Sequence, residues 1–418
     1  MNKLIVYLNT ERVGSLKQED SGLLQFSYDQ TWLEKPNAMP LSRSLPLRSE
    51  VFPGKKTRPF FAGILPEEGP REKIAEILGI SRTNDFAMLE RIGGDCAGAV
   101  SLLPEGVAPT YPKNARHLEL TEPELQQLIA KLPDRPLLAG AEGLRLSLAG
   151  AQDKLPVIVH QNGICLPLGD MPSTHILKPE PDRFPGLAVN EIFCMTLSQA
   201  VGLNAPDTEY RPIGRKPCIL VQRYDRTSDE TGHTTRLHQE DFCQALGFPP
   251  ERKYQAEGGP TIGDCISLLR DWSTAPVLDI PDFISGLIFN VLIGNADAHG
   301  KNHALLYSGG ERRLSPYYDL VCTLAWPNLS RNLAMKIGGC DSVNAFTIGD
   351  WKKMAKKTGL NWPMIRERMA ESCHRVLNKL GEVQARTGEY NESIATLLHE
   401  TIKGRADRML EALSRKEY

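Results

Sequence analysis

Apolar and polar positions alternate over the first part of the chain. "KLIVYLN" and "RVGSL" predict a hairpin, and "SGLLQFSYD" a third strand. "REKIAEILG" (71–79) changes to a helical period and stops at Gly79, and "CAGAVSLLPEG" (96–106) returns to a strand with a Pro/Gly exit. The loose stretch "EGVAPTYPKN" (105–114) marks a first boundary. "TEPELQQLIAKLP" (121–133) predicts a short helix whose Thr121 and Glu124 make a capping box. From about 144 the pattern becomes strands punctuated by turns: "LRLSLAG" (144–150), "KLPVIVHQNGICLPLG" (154–169) with an Asn162-Gly163 hairpin turn, and "THILKPE" (174–180). "LAVNEIFCMTLSQAVGL" (187–203) reads as a helix apolar on one face, and "KPCILVQRYDRT" (216–227) as a strand running into a connector. After Phe283 the pattern is mainly helical to the end of the chain. One hairpin interrupts it, "NHALLYSGGERRLSPYYDL" (302–320), with Ser308-Gly309-Gly310 at its tip. The expected organisation is a small α/β domain (1–108), a β-rich lobe (109–225) and a helical lobe (226–418).

Length agrees with that division, since 418 residues exceed one ordinary core. Hydrophobic content of 41% and charged content of 24% fit a soluble globular chain. With 49 basic and 51 acidic residues the formal charge is −2, so any nucleic-acid contact has to come from a local patch. The start alternates like a strand and lacks the apolar core and cleavage site of a signal peptide. No run is expected to reach the ~18 apolar residues of a bilayer span. The nine cysteines are scattered without a C-x-x-C pair, which argues for reduced thiols and against a disulfide scaffold or zinc site. A cytoplasmic protein with no membrane partner is expected.

One polar cluster stands out. "IGNADAHGKNHALL" (293–306) follows the apolar run "FISGLIFNVLIG" (283–294) and places Asp297, His299, Lys301 and Asn302 within six residues. Asp, Asn five residues later, strand, turn, strand and a second Asp at Asp319 is the order used by protein-kinase-type phosphoryl transfer. There the first Asp orients the attacking hydroxyl, while Asn and the second Asp hold Mg²⁺ through hard oxygen ligands. The same residues also fit a polar helix end followed by an ordinary surface hairpin. Features upstream shift the balance toward the kinase reading. Lys178 lies on a strand where a phosphate-pairing lysine belongs, although an edge-strand lysine would look alike. Glu191 on the next helix can pair with it, or can simply face solvent. "LSLAGAQDK" (146–154) stands where a phosphate-covering loop is expected, between two strands, with one glycine. The connector carries Gln222 and Tyr224, whose backbone can meet an adenine.

These segments together resemble the HipA family, serine/threonine-kinase toxins of bacterial toxin–antitoxin systems. The matching stretches run in order from about residue 4 to 320: "FFAGILPEEGPRE", "GDCAGAVSLLPE", "SLAGAQDK", "THILKPE", "NEIFC", "QRYDR", "HQEDFCQALG", "KYQAEGGP", "NADAHGKN" and "LSPYYDL". The resemblance implies an α+β, bilobal protein-kinase-like fold, with a β-rich N-terminal lobe, an added small α/β subdomain and an all-α C-terminal lobe. It implies ATP and Mg²⁺ as cofactors and Asp297 as the catalytic base, with Asn302 and Asp319 as metal ligands. Lys178 and the backbone of Ala149, Gly150, Ala151 and Gln152 would meet the phosphates. Gln222 and Tyr224 would flank adenine, and His299 and Lys301 complete the nucleotide set. Gln222 departs from a glutamate found in the family, which a backbone contact tolerates. Gln239 and Asp241 of "HQEDFC" would line the cleft. Known members phosphorylate glutamyl-tRNA synthetase, an aminoacyl-tRNA synthetase, and stall translation. They also autophosphorylate a loop serine, which here falls on Ser147; a phosphate there adds roughly −1.5 to −2 charge. A strand serine bonded to nearby backbone is the plainer reading of that residue.

The family resemblance also implies a helix-turn-helix antitoxin dimer as partner, with operator DNA bound through the complex. "GDWKKMAKKTG" (349–359) sets Lys352, Lys353, Lys356 and Lys357 at helical spacing, a basic stripe suited to phosphate or to plain solvation. The last helix, with Lys403, Arg405 and Arg408, is a second such candidate. Two other readings stay open: a non-catalytic, antitoxin-binding co-repressor with a kinase shape, and a small-molecule kinase, since D-x-H-x-x-N also resembles phosphoinositide kinases.

Overall fold

The computed structural model describes residues 3–109, 116–161, 163–169, 171–230 and 234–415; Asn162 of the expected turn, residues 110–114 of the boundary stretch and the last three residues lie outside them. The chain divides into two compact units. The first comprises Met1–Pro179, Pro212–Pro250 and Leu306–Gly310, and the second comprises Glu180–Arg211, Glu251–Leu305 and Glu311–Tyr418.

The first unit opens with the expected hairpin, β1 (Lys3–Leu8) against β2 (Glu11–Gln18), followed by β3 (Leu24–Tyr28). β4 (Val100–Pro104) pairs with the free edge of β1, giving an antiparallel sheet in the order β3-β2-β1-β4. Its buried face meets helix Gly54–Gly63, where Phe60 and Phe61 join Phe26 and Phe52 in an aromatic core. Helix Glu68–Leu78 ends as expected at Gly79, whose φ of 64° a residue with a side chain would resist. Helices Gly54–Gly63 and Asp85–Ile92 were not predicted. A second antiparallel set follows, in the spatial order Arg116–Glu119, Gly163–Leu168, Leu155–His160, His175–Pro179 and Cys218–Gln222. The helix predicted over 121–133 forms at Glu122–Lys131 with its capping box in place.

One predicted strand is absent. Residues 144–150 make only two isolated bridges, Asp95 with Leu146 and Pro66 with Gly150, so the "LSLAGAQDK" loop precedes a strand rather than joining two. The alternation was real, because Leu144, Leu146 and Leu148 are all buried. The segment packs against a turn and a proline, however, and neither continues a ladder.

The second unit is mainly helical. Helix Pro276–Ile293 forms its centre, with Phe283, Ile288, Phe289 and Leu292 buried. It is long and apolar enough to cross a membrane, contrary to the reading of the sequence, but 67% of it is buried inside the protein, as in a core helix. Helix Leu187–Ala200 is buried nearly all round rather than on one face. Helices Trp362–Gly388 and Glu392–Ser414 pack together, with Val376, Leu380 and Val383 of the first and Leu398, Ile402 and Ala406 of the second buried. A further hairpin, Asn332–Ile337 with Cys340–Ser342, was not foreseen.

Candidate active site

In the second unit the apolar helix stops because Gly294 adopts φ 73° and closes it with a left-handed cap. A chain of polar contacts then shapes the loop. Asn290 donates to the Gly286 carbonyl (2.9 Å) and accepts from Asn295 (2.8 Å), and Asn295 in turn accepts from the Asp297 amide (3.0 Å). Thr323 donates to the Gly294 carbonyl and accepts from the Ala296 amide, both at 3.0 Å. The loop therefore rests on buried polar anchors from its own helix and from the segment after Asp319, which holds its shape without regular structure.

Asp297 emerges exposed at the crest, where the Tyr254 hydroxyl donates to its Oδ1 at 2.7 Å. The Tyr254 ring also meets His299 edge-on, with centroids 5.2 Å apart. Asn302 turns its side-chain oxygen back to the His299 amide at 3.0 Å. Lys301 and His299 are buried, so neither is a loose surface group. Two strands follow, Ala304–Ser308 and Glu311–Leu314, with Gly309 and Gly310 at positive φ between them, as the hairpin pattern predicts.

The chain then reaches Asp319 in a left-handed conformation (φ 60°), uncommon for a residue with a β-carbon. Its neighbours fix it there. Tyr317 donates to the Asp282 carbonyl (2.6 Å), and its amide donates to Asn204 (2.7 Å). Tyr318 donates to the Lys301 carbonyl (2.7 Å), and the Cys322 amide donates to Asn190 (2.8 Å). Through Tyr318 the Asp319 segment is tied directly to the Asp297 loop. Strain of about 1–3 kcal/mol at such a position persists only where its surroundings enforce it. Tyr254, Asn295 and Tyr318 lie in stretches that carry the resemblance ("KYQAEGGP", "NADAHGKN" and "LSPYYDL") but have no role assigned from the sequence, and Thr323 lies outside them.

Oxygen donors at Asn302 and Asp319 suit Mg²⁺ in kind. Among the described residues no group of three or more His, Cys, Asp or Glu is placed to hold a metal. A magnesium ion here would draw its remaining ligands from phosphate and water, its usual habit.

The first unit holds the remaining nucleotide candidates. Lys178 is buried on strand His175–Pro179, opposite Ile219 of strand Cys218–Gln222, and in the same pairing Gln222 faces His175. The loop Ala149–Gln152 is half-buried; Gly150 sits at φ 107°, and a β-carbon there would come within 2.6 Å of Lys154 Nζ. Gln152 donates to the Pro179 carbonyl (3.4 Å) and Lys154 to the Ala149 carbonyl (2.7 Å), which seats the loop beside the Lys178 strand. Gln222 is exposed, while half-buried Tyr224 donates to Gln239. Asp241 caps helix Phe242–Leu246 by accepting from the Gln244 amide at 2.8 Å. Ser147 is fully buried: its hydroxyl donates to the Ile64 carbonyl (2.9 Å) and its amide to the Asp95 carbonyl (3.0 Å). Glu191, the expected partner of Lys178, is buried on helix Leu187–Ala200 of the second unit.

Lys353, Lys356 and Lys357 stand exposed on helix Ile348–Thr358; Lys353 pairs with Asp350 (3.4 Å) and Lys352 lies over the Trp362 ring. Arg405 is no surface group. It is buried and donates to the carbonyls of Val291 and Val343, both at 2.7 Å, which removes it from the second basic candidate.

Comparison with known proteins adds to this geometry. The family description "HipA N-terminal domain" matches residues 4–103, and "HipA-like C-terminal domain" matches residues 146–380. A putative kinase, Y4mE of Sinorhizobium fredii, is 44% identical over 94% of this chain and 96% of its own length. The serine/threonine-protein kinase toxin HipA of Shewanella oneidensis is 29% identical over 85% of this chain and 83% of its own. A solved complex of HipA, HipB and operator DNA from the Shewanella oneidensis MR-1 toxin–antitoxin system superposes with a TM-score of 0.87 at 26% identity, covering 99% of this chain and 100% of that one. The α+β, kinase-like fold expected from the sequence is thereby established.

Proposed function

The chain belongs to the HipA family, and on that premise we propose that it is an ATP-dependent serine/threonine-protein kinase acting as the toxin of a toxin–antitoxin pair. The observation that carries this reading is the second unit's loop: Asp297 exposed and held by Tyr254, Asn302 turned back on the loop, and Asp319 in a left-handed conformation bound to it through Tyr318. Asp297 orients the attacking serine hydroxyl and receives its proton, and the Tyr254 hydrogen bond fixes the carboxylate's rotation. Asn302 and Asp319 hold the magnesium ion, which when bound offsets the negative charge of the phosphates. Lys178 and the Ala149–Gln152 backbone bind the phosphates. The connector at Gln222 and Tyr224 takes the adenine. Such catalysis is mostly positioning, which agrees with a loop whose polar groups are so thoroughly anchored.

The substrate fits the family's habit of striking translation, with an aminoacyl-tRNA synthetase such as glutamyl-tRNA synthetase as the target. A helix-turn-helix antitoxin dimer and operator DNA are the proposed partners, supported by the HipA–HipB–DNA relative, with the Lys352–Lys357 stripe meeting DNA phosphate. Ser147 is the proposed autophosphorylation site. Its hydroxyl is seated against a carbonyl oxygen, a place that accepts a donor and rejects a phosphate carrying roughly −1.5 to −2 charge. Phosphorylation therefore requires the segment to leave its seat, and the phosphate then prevents its return, which would inactivate the enzyme.

The test is incubation with γ-labelled Mg·ATP beside an Asp297→Ala control, followed by intact mass and peptide mapping. Label on protein serine in the wild type alone supports the kinase, and label at Ser147 supports self-inactivation. With no transfer by either, to itself or to a ribosome-free cell extract, the kinase reading fails and the non-catalytic co-repressor stands.

A further inference from the structure

A knot of charges lies wholly inside the first unit, built from side chains to which the proposed reaction gives no role. Asp95, Arg223, Asp225 and Arg236 are almost fully buried, and the Arg226 side chain is 3% exposed. Asp95 Oδ1 accepts from Arg226 (3.0 Å) and Arg236 (3.1 Å), while its Oδ2 accepts from the Ser173 hydroxyl (2.6 Å). Asp225 takes a two-pronged pair from Arg223 at 2.9 and 2.8 Å, a further contact from Arg226 at 2.9 Å, and the Gly98 amide at 2.7 Å. Arg223 also reaches the Ser173 hydroxyl and the Cys96 carbonyl, both at 2.9 Å. Arg226 donates to the carbonyls of Ser173 (3.0 Å), Cys96 (3.2 Å) and Gly98 (3.1 Å). Burial works to keep Asp95 protonated, but Arg226, Arg236 and Arg223 together hold it well below the usual carboxylate range. The knot is therefore ionised throughout.

What it surrounds is the connector. Arg223 and Asp225 are both turned into the knot, and the residue between them, Tyr224, is left half-buried with its hydroxyl on Gln239. The turn at 95–98 closes the other side: Gly98 has φ 75°, and a β-carbon there would come within 2.8 Å of the Gln239 amide. An irregular connector normally keeps the freedom of a loop. This one is clamped at both neighbours of its aromatic residue by planar, two-pronged contacts, the geometry for which arginine is suited and lysine is not. The cost is three guanidinium groups and two carboxylates removed from water, which apolar packing would have avoided.

We propose that Asp95, Ser173, Arg223, Asp225 and Arg226 are positioning residues for nucleotide recognition: the knot presets the Gln222–Tyr224 connector for the adenine base and makes that preset depend on the 95–98 turn of the N-terminal part. This rests on the kinase reading, since the connector matters only if it receives a base. The Asp95 side chain ties Ser173 and three arginines together, so its substitution would disturb the whole knot at once. Asp225 is the cleaner place to intervene.

Affinity for Mg·ATP and for Mg·tripolyphosphate, which lacks the base, is measured by calorimetry on the full chain. The wild type is compared with Asp225→Asn and with the milder Ser173→Ala. Loss of one charged hydrogen-bonding partner should weaken ATP by about tenfold in Asp225→Asn, and by about threefold in Ser173→Ala, while tripolyphosphate binding is unchanged. A general loss of structure would weaken both ligands together, and a passive knot would change neither; either result overturns the proposal. Where Asp225→Asn fails to fold, Ser173→Ala decides. A wild type that binds neither ligand brings down the kinase reading itself, and this proposal with it.

Discussion

Replacing Glu240 by glutamine should remove a pH dependence of stability that the wild type carries. Glu240 is completely buried in the first unit, on strand His238–Asp241, and its carboxylate accepts from the Ser42 hydroxyl (2.5 Å), the Arg43 amide (3.0 Å) and the Tyr307 hydroxyl. Burial dominates these donors, and with a smaller push from Asp241 the group rises from 4.5 to about 7. The folded chain thus holds a proton that the unfolded chain has already released between those two values. Stability from Glu240 is complete below pH 4.5 and is lost as pH rises through 7. A displacement of that size corresponds to about 3 kcal/mol in full, of which roughly 2.5 kcal/mol falls between pH 5 and pH 8. Two buried histidines run the other way: burial lowers His238 and His303 to about 4, so their contribution declines as pH falls below 6.5. The wild-type profile is a sum of opposing trends, and only its difference from Glu240→Gln isolates the carboxyl. Urea unfolding at intervals from pH 5 to 8 should show the wild type losing about 2–3 kcal/mol relative to the variant. Parallel profiles for the two proteins would refute the reasoning, and a wild type that gains on the variant as pH rises would reverse its sign.

Two other outcomes are expected. Gly286→Ala should destabilise by about 2 kcal/mol, although alanine is ordinarily the better helix residue, because the added methyl would stand 2.3 Å from the buried Tyr317 ring. An unchanged or raised melting temperature would show that the ring relaxes freely. Lys353→Glu with Lys357→Glu, both on the exposed face of helix Ile348–Thr358, should leave ATP binding alone and reduce the salt slope of operator binding by the antitoxin complex by about 2. An unaltered slope would remove the stripe from the DNA interface.

Residues close in sequence were the legible ones. Asp297, His299, Lys301 and Asn302 announced themselves because a long apolar run that breaks at a glycine into a polar cluster is a local pattern, and Gly294 does close that helix. The hairpin strands Ala304–Ser308 and Glu311–Leu314, the Thr121–Glu124 box and the Gly79 stop were readable for the same reason, since each rests on contacts within a few residues. Tertiary structure alone decided the rest. Period-two leucines at 144–148 reported burial correctly, but whether they join a ladder depends on what lies beside them, and that turned out to be a turn and a proline. Arg405 looks like any basic helix residue until the carbonyls of Val291 and Val343 are found at its guanidinium. Tyr254 reaches Asp297 across 43 residues, and Arg226 reaches Asp95 across 131. Local patterning carries the periods, stops and caps because their energy is spent within a turn or two of chain. It carries no record of which distant carbonyl or carboxylate will meet a given side chain, and those meetings gave this protein its anchored loop, its seated serine and its buried charges.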